Sequence, residues 1–217
     1  MVTHDRSNDA DGRRLRGERS RAVALAAVVD LASSDGLSGV SMAQLAARLG
    51  VSKSGLFTHW SDKEQLQLAA IDHARDQWAE LVVHPALTAT SPLLKLWRLH
   101  ELRLDFYDRG VLRGGCFFVM VEREFRDHPG AVRDRIRELA GQWEAWLCSL
   151  ITDAVAAGEL REGIVPEQLA FEIDAVGAAV VTRSGILDRD SIFAHGRAAI
   201  LQRLRALCPD PRLLPDE

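Results

Sequence analysis

The segment that most constrains the fold is residues 41–66, SMAQLAARLGVSKSGLFTHWSDKEQL, because it carries two helix-start patterns close together. In a capping box, a serine caps a helix and a Gln or Glu three residues later bonds back to it. Ser41 with Gln44 fits this pattern, and Ser61 with Glu64 fits it again. A helix is therefore predicted to begin at each serine, which leaves room for only a short element between them.

The residues between the two starts are too polar for an ordinary core helix. Gly50 lies where a helix ends on a left-handed residue, and Ser52 can cap a short third helix. At 100° per residue, Leu56 and Trp60 lie about 40° apart and can both face the interior. With the helix that precedes it, this segment has the outline of a helix-turn-helix.

The outward side of the third helix is small and polar. Ser54 and Thr58 lie opposite the two apolar anchors, and Gly55 lies beside them. Glycine lowers helix propensity by about 1 kcal/mol relative to alanine, which suits a backbone that must approach a partner closely. A helix in the DNA major groove needs such small donors and acceptors beside the base edges. The pattern favours DNA binding; the alternative is a set of well-capped core helices.

Residues on either side of this helix can hold phosphates. Ser41 begins a helix, where backbone N–H groups and the helix dipole favour an anion. Lys63 lies in the first turn of the fourth helix, a poor position for a cation unless a phosphate lies beside it. His59 can donate to a DNA backbone oxygen, although a surface histidine is more often only solvated. Such contacts fix the register without reading sequence.

The composition is that of a globular protein. The chain has 217 residues, of which 47% are hydrophobic and 27% charged, and this balance argues against disorder. It has no apolar run of about 18 residues and no signal-peptide pattern, so we expect no membrane segment and a cytoplasmic location. The cysteines, Cys116, Cys148 and Cys208, match no zinc spacing, so we expect reduced thiols, no metal and no cofactor.

The net charge of −4 argues at first sight against a nucleic-acid partner, but the charge is unevenly distributed. Five arginines and one acid, Glu18, lie within residues 13–21. The arginines are Arg13, Arg14, Arg16, Arg19 and Arg21. Because surface charge acts over a Debye length of about 8–10 Å, this cluster matters more than the total. It is either the solvated start of a helix or an arm that contacts the DNA minor groove or backbone.

Apolar residues recur every three to four positions along the chain, and strand-like alternation is nearly absent. We therefore predict an all-α fold of about nine helices. Residues 1–17 are predicted to be a disordered basic arm, and residues 18–66 a helix-turn-helix DNA-binding domain whose first helix begins at Glu18. The fourth helix is predicted to run to about residue 82 as a connector.

The C-terminal part, residues 83–217, is predicted to be a helical ligand-binding and dimerisation domain. Residues 84–92, HPALTATSP, are predicted to form the loop at the boundary. Further helices are predicted at about 92–109, 115–127, 130–157, 166–186 and 190–207.

The motifs of this N-terminal part resemble the DNA-binding region of the tetracycline-repressor (TetR) family, and the likeness runs from about residue 20 to 70. It rests on the capped SMAQLA, the turn and helix LGVSKSGLF, the histidine at position 59 and the helix start SDKEQL. The resemblance implies a homodimer of chains with about nine helices each. It also implies a C-terminal ligand pocket and a dimer interface made by the last two helices.

The resemblance also implies DNA-binding roles by position. The residues that would face bases or nearby phosphates are Lys53, Ser54, Gly55 and Thr58, with the cap Ser52 added to the set. The residues that would hold the DNA backbone are Ser41, Phe57, His59 and Lys63. Phe57 departs from the family, which usually has tyrosine there, so one phosphate hydrogen bond would be lost. Trp60 is a larger version of the phenylalanine that is common at its position.

Aromatic, methionine and cysteine side chains concentrate on the helices after residue 92, as in an apolar pocket between helices. The candidate ligand-binding residues are Trp97, His100, Leu104, Tyr107, Cys116, Phe117, Met120 and Trp143. Arg103 is a further candidate polar anchor. For each of them, a place in the core is the alternative. The resemblance implies a pocket, and the sequence does not place its walls.

Residues 166–186 and 190–207 are rich in small side chains, as in AVGAAVV and AHGRAAIL, which let helices approach closely. Because the resemblance implies a dimer interface here, we assign a homodimer to residues 166–207; packing within one chain is the alternative. Two-fold symmetry would present two recognition helices to a palindrome.

Together these features predict a ligand-responsive dimeric transcriptional repressor rather than an enzyme. It would bind a palindromic double-stranded DNA operator and be released by a small, largely apolar effector. The alternative is an enzyme with a thiol site of Cys116 and His100 and an N-terminal partner-binding module. That alternative lacks a third orienting group and a Gly-rich phosphate loop. A redox sensor acting through Cys116 is a variant of the first prediction.

Overall fold

The computed structural model describes residues 6–216, without the side chains of residues 6–14, 16, 53 and 57. The α-helices are α1 (Arg6–Asp35), α2 (Met42–Leu49), α3 (Lys53–Phe57), α4 (Lys63–Trp78), α5 (His84–Leu87), α6 (Pro92–Asp108), α7 (Phe117–Phe125), α8 (Ala131–Ala156), α9 (Pro166–Arg183) and α10 (Arg189–Leu207). A π-helical turn joins α4 to α5, so these two form one continuous rod and nine α-helical units lie in the described range, followed by a short 3-10 helix at Pro211–Leu213. No strand occurs in that range, and the predicted all-α class is confirmed.

Helix α1 begins at Arg6, twelve residues before the predicted start at Glu18, so residues 6–17 of the predicted arm are helical in the structure. Residues 1–5 of the predicted arm lie outside the described residues. The polarity of the segment suggested disorder, but it contains no proline, and arginine, alanine and leucine are good helix formers. The basic residues before position 18 therefore extend a helix whose later turns, with Val28 and Val29, are anchored in the core.

Two capping patterns set the ends of α2 and α4. The capping box of α2 is confirmed: the Gln44 N–H donates to Ser41 Oγ at 3.2 Å, and the Ser41 N–H donates to Gln44 Oε1 at 3.1 Å. The second box, predicted for Ser61 and Glu64, is not formed, and the cap lies one residue later. Asp62 is the cap of α4 and accepts the Gln65 N–H at 2.8 Å, because a carboxylate is at least as good a cap as the Ser61 hydroxyl.

The π-helical turn, Ala79–Val83, follows α4 and widens the helix. The His84 N–H at its end donates to the carbonyl of Ala79, five residues earlier. The loop predicted at residues 84–92 is therefore shorter, since its first four residues form α5. Pro85 looked like a breaker, but the helical rod continues through it; Pro85 lies directly after the π-helical turn, as the second residue of α5.

Helix α6 is the centre of the C-terminal part and packs against α8, α9 and α10. Leu93, Leu96 and Leu104 on this helix are fully buried. The five helices predicted after residue 92 all occur, each with ends within three residues of the prediction. Helix α1 packs on both α4 and α7, so one core continues from the N-terminal helices into the C-terminal ones. Within residues 6–216, no helix is both long and apolar enough to cross a membrane.

Candidate nucleic-acid interface and ligand cavity

The turn between α2 and α3 places α3 across the N-terminal helices. Gly50 has a φ of 65°, and its N–H closes the end of α2 on the carbonyls of Ala46 and Ala47. A left-handed residue at this point favours glycine. Leu56 and Trp60 are 3% and 2% exposed. Both predicted anchors are thus buried, and the opposite side of α3 faces outward.

The outward side of α3 consists of short polar groups held in fixed positions. The Ser52 hydroxyl caps α3 by accepting the Gly55 N–H at 3.1 Å and lies 3.0 Å from the Ser54 hydroxyl. The Thr58 hydroxyl donates to the Gly55 carbonyl at 2.6 Å. All four residues are exposed. A Cβ added at Gly55 would meet only Ser52 Oγ, at 3.3 Å, so the surface in front of this residue is open.

The flanking residues have clear structural contacts as well. Lys63 Nζ donates to the Ser38 carbonyl at 2.5 Å, which ties the start of α4 to the loop before α2. The His59 ring lies 5.4 Å from the Trp60 ring and is half-buried. The Arg21 guanidinium lies 5.6 Å above the same Trp60 ring. One arginine of the predicted basic cluster therefore covers the core anchor of α3.

A cavity of about 660 Å³ opens in the C-terminal part, between α4, α6, α7, α8 and α9. The aromatic side chains that line it are Trp78, Tyr107, Phe118, Trp143, Trp146 and Phe171. The Trp78 ring stacks against Tyr107 at 6.0 Å and meets Trp143 edge-on at 5.9 Å. A cavity of this size lined by aromatic side chains is typical of a site for a small organic molecule.

A buried arginine crosses the cavity wall from α6 to α9. Arg103 is 3% exposed, and its guanidinium donates to Asp174 Oδ1 at 3.0 Å and to the Ile173 carbonyl at 2.8 Å. Gly177 makes room for it, since a Cβ there would lie 1.4 Å from Arg103 Nη2. Asp174 Oδ1 also accepts the Trp143 indole N–H at 3.0 Å. This set of contacts holds α6, α8 and α9 together at the cavity.

A second carboxyl group, on Glu122 of α7, lines the same cavity. Burial raises the pKa of the Glu122 carboxyl to about 7, and the nearby Asp174 carboxylate adds to the increase. Within the described part of the chain, Glu122 makes no hydrogen bond or ion pair. The cavity therefore combines apolar walls with a carboxyl group whose pKa is raised.

Helix α7 connects this cavity to the N-terminal helices. Glu124, two residues after the cavity residue, accepts the Leu37 N–H at 2.6 Å and the Ser38 N–H at 2.7 Å with its two carboxylate oxygens. Just before α7, the Gly114 N–H donates to Ser33 Oγ at 3.0 Å. Both ends of α7 are therefore fastened to the end of α1 and the loop that leads into α2.

Two family models match the chain. The model of the bacterial regulatory proteins, tetR family, matches residues 24–70, and the model of the tetracyclin repressor-like C-terminal domain matches residues 92–200, half of the chain. The chain belongs to the TetR family of transcriptional regulators. The helix-turn-helix of α2 and α3 is therefore the DNA-binding element of a TetR-family protein, as its residue pattern predicted.

Solved TetR-family structures share this fold. A regulator from Chloroflexus aurantiacus has a TM-score of 0.82 at 23% identity, over 89% of this chain and 98% of its own. One from Cytophaga hutchinsonii has a TM-score of 0.79 at 16% identity, over 90% and 98%. AibR, solved in complex with isovaleryl coenzyme A and operator DNA, has a TM-score of 0.66 at 21% identity, over 87% and 98%. No curated protein matches the sequence.

Of the predicted ligand-binding residues, Tyr107, Cys116 and Trp143 line the cavity of this TetR-family chain, as does Arg103. The predicted residues that do not line it are Trp97, His100, Leu104, Phe117 and Met120. On α6, the stripe through residues 103 and 107 faces the cavity, and the stripe through 100 and 104 faces α10. The His100 Nε2–H, for example, donates to the Gly196 carbonyl at 2.9 Å.

Several cavity residues were missed, among them Phe118 and Glu122 on α7. Their spacing of four residues places them on one face of the helix. Phe117, Val121 and Phe125 have the same spacing and are buried on the other face. Both stripes were readable from the sequence, but only the packing of α7 on α1 shows which of them faces the cavity.

The thiol site of the enzyme alternative is not assembled in this TetR-family protein. Cys116 is buried and hydrogen-bonded to the Tyr107 hydroxyl, and burial raises the pKa of its thiol. Burial also lowers the pKa of His100 to about 3, and the Nε2–H of its ring already donates a hydrogen bond to the Gly196 carbonyl. A thiol nucleophile needs a lowered pKa and a base beside it. Among the described residues, no cluster of three or more His, Cys, Asp or Glu could hold a metal ion.

Proposed function

We propose that this chain is a dimeric repressor that binds a palindromic double-stranded operator and releases it when a small, largely apolar effector fills the cavity. One observation carries the proposal: the same chain holds an exposed polar face on α3 and, within the body fastened to it, an aromatic cavity of about 660 Å³. AibR, which has the same fold, was solved with both a ligand and operator DNA, and this supports pairing the two roles.

On the DNA side, we propose that the contacting residues are Ser41, Ser52, Lys53, Ser54, Gly55, Phe57, Thr58, His59 and Lys63. The side chains of Lys53 and Phe57 lie outside the described residues. The exposed hydroxyls of α3 supply donors and acceptors for base edges. An ammonium group has three donors, so Lys63 can hold the Ser38 carbonyl and a phosphate at the same time.

The Gly55→Leu variant is expected to fold normally but to bind operator DNA about 100-fold more weakly, since the new side chain would keep α3 away from the base edges. A Cβ at Gly55 would meet only Ser52 Oγ, at 3.3 Å, so a small shift of that hydroxyl accommodates the leucine. The measurement is fluorescence anisotropy with labelled DNA from upstream of the protein's own gene, alongside thermal unfolding of the variant.

Gly141→Leu on α8 is the control for the same substitution at an exposed helical glycine, because a Cβ there meets no atom within 4 Å. It should bind DNA as the unmodified protein does. If the unmodified protein gives no specific complex even at low salt, the regulator proposal is wrong. If Gly55→Leu binds as tightly as Gly141→Leu, α3 is not the DNA-contacting helix.

For the dimer, we propose an interface built from α9 and α10, within residues 166–207. Both helices carry exposed small residues, including Ala179 and Ala199. Directly after α9, Ile186 and Leu187 are 85% and 50% exposed. Exposed large apolar side chains beside flat helical faces are typical of protein interaction surfaces. Two such chains would form a four-helix contact and present two recognition helices.

Ala199→Arg should raise the dimer dissociation constant by at least about tenfold, because a charged side chain would be forced into a close helix contact. Sedimentation velocity over a range of concentrations measures this change. Ala145→Arg, at an exposed alanine of α8, is the control for added charge and size. An unmodified protein that is monomeric at every concentration would refute the dimer, and an unaffected Ala199→Arg dimer would place the interface elsewhere.

We propose that α7 carries the effector's influence to the DNA-binding helices. Phe118 and Glu122 face the cavity, and Glu124 holds the loop before α2. A ligand shifts a conformational equilibrium only by its differential affinity for the two states. An effector that binds better when α7 is displaced would therefore favour a conformer whose recognition helices no longer match two half-sites.

A further inference from the structure

The unpaired carboxyl group of Glu122 distinguishes this cavity from a purely apolar one. Its side chain is accessible and lines the cavity on α7, across from Asp174 on α9. The Asp174 carboxylate is already engaged by Arg103 and by the Trp143 indole. Glu122 has no such partner within the described residues, so it is free to meet a group on a bound molecule.

The cations of the cavity do not neutralise Glu122. Arg103 is held by Asp174 at 3.0 Å. Arg75, which also lines the cavity, is paired at 2.7 Å with Asp76, which does not line it. Arg123, the remaining lining cation, is exposed and follows Glu122 on the same helix. Glu144 adds another lining carboxylate on α8. Two of the three cations are thus already paired, whereas Glu122 and Glu144 have no ion pair in the described structure.

The aromatic side chains that line the same cavity suit a positive charge as well. The rings of Trp78, Trp143 and Trp146 lie in one connected group, with centroid separations of 5.9 Å and 5.5 Å. The faces of tryptophan rings attract cations through their quadrupoles, and more strongly when the cation is desolvated. A molecule that is apolar and positively charged would satisfy both the rings and the carboxyl group.

We propose that the effector is an amphipathic organic cation, whose charged centre lies against Glu122 and whose apolar groups fill the space between Trp78, Trp143 and Trp146. This inference rests on the proposed effector role of the cavity and narrows its ligand class. An acidic ligand would meet two unpaired carboxyl groups, and a neutral one would leave the ionised form of Glu122 without a counter-charge.

The test uses two probes of nearly the same size and shape but opposite charge, tetraphenylphosphonium and tetraphenylborate. Quenching of tryptophan fluorescence reports binding, because three tryptophans line the cavity. Tetraphenylphosphonium is expected to bind at least about tenfold more tightly than tetraphenylborate. Equal binding of the two probes, or tighter binding of the borate, overturns the inference.

The Glu122→Gln variant keeps the size of the side chain and removes its charge. It should weaken tetraphenylphosphonium binding about tenfold or more and leave tetraphenylborate binding unchanged or stronger. Glu162→Gln, at an exposed glutamate of the segment after α8, is the matched control and should change neither. Unaltered phosphonium binding in Glu122→Gln contradicts the assigned role of this residue.

The pH dependence of the same titration is a second readout. Protonation removes the charge of Glu122, so phosphonium affinity should fall as the pH is lowered below about 7, by at most about tenfold per unit for one proton. The other charged groups that face this site are Asp174, Glu144, Arg103, Arg75 and Arg123. Burial raises the pKa values of Tyr107 and Cys116, so both stay neutral in this range. The pH dependence of phosphonium affinity should be lost in Glu122→Gln. If it persists in this variant, another titrating group causes it.

Operator binding is measured separately, without any probe. If the DNA complex forms but the two probes bind alike, the cation inference fails and the regulator proposal stands. If the phosphonium binds as expected but no specific DNA complex forms, the preference of the cavity for cations stands and the regulator proposal fails.

Discussion

The Gly177→Ala variant should lose about 3 kcal/mol of unfolding free energy. The added Cβ would lie 1.4 Å from Arg103 Nη2 and 1.9 Å from its Cζ, so the guanidinium would have to move. Arg103 is 3% exposed, which leaves it little room to do so. Displacement would break its bonds to Asp174 and Ile173 and leave a buried charge poorly paired. Denaturant unfolding followed by circular dichroism measures the loss.

The same substitution at Gly141 is the control, because both glycines lie inside helices and neither has a positive φ. A Cβ at Gly141 meets nothing within 4 Å. Gly141→Ala should therefore stabilise the protein by about 0.5–1 kcal/mol, the usual gain from replacing a helical glycine. If both substitutions change the unfolding free energy in the same direction, Arg103 is not held where the structure places it.

The second large effect is expected at Glu124, whose carboxylate holds the backbone N–H groups of Leu37 and Ser38. Glu124→Gln keeps the shape of the side chain but leaves only one oxygen that can accept a hydrogen bond. The NH2 group that replaces the other oxygen is a donor, and it would face a backbone N–H, which is also a donor. The loss of charge-assisted bonds should raise hydrogen exchange of the two amides about 10- to 100-fold. Hydrogen exchange read by mass spectrometry across residues 36–40 detects this.

Glu80→Gln, at a glutamate whose side chain is 73% exposed, changes the net charge equally and should leave that exchange unaltered. Because Glu124 lies on the helix that lines the cavity, the substitution should also reduce the effect of a bound effector on operator affinity. Slow exchange that persists in Glu124→Gln would mean that other contacts hold the loop. It would also remove the main support for α7 as the connecting element.

The helix-turn-helix could be predicted in detail because its determinants are local. Its turns are set by the caps Ser41 and Ser52 and by the left-handed Gly50. Each of these acts within a few residues, so none depends on the rest of the fold. The error at α4 was of the same local kind. Neighbouring Ser61 and Asp62 can both cap, and the choice between them moves a boundary by one residue.

The cavity could be predicted only as a region. Its walls depend on which stripe of each helix turns inward, and on both α6 and α7 two adjacent stripes carry large aromatic or aliphatic side chains. Helix packing decides between them: His100 turns to α10, and Arg103, three residues on, turns to α9. The role of Gly177 was also invisible in sequence, since the side chain it accommodates lies 74 residues away at Arg103, on another helix.

The widened turn at Ala79–Val83 has a geometric consequence for the cavity. In a regular α-helix, Trp78 and Val83 would point about 140° apart, because five residues of 100° exceed one turn by that angle. In the π-helical turn the hydrogen bonds span five residues instead of four, so each turn holds more residues and the two side chains point in more similar directions; both line the cavity. The shape of the cavity therefore depends partly on the number of residues in this turn, and not only on which side chains they carry.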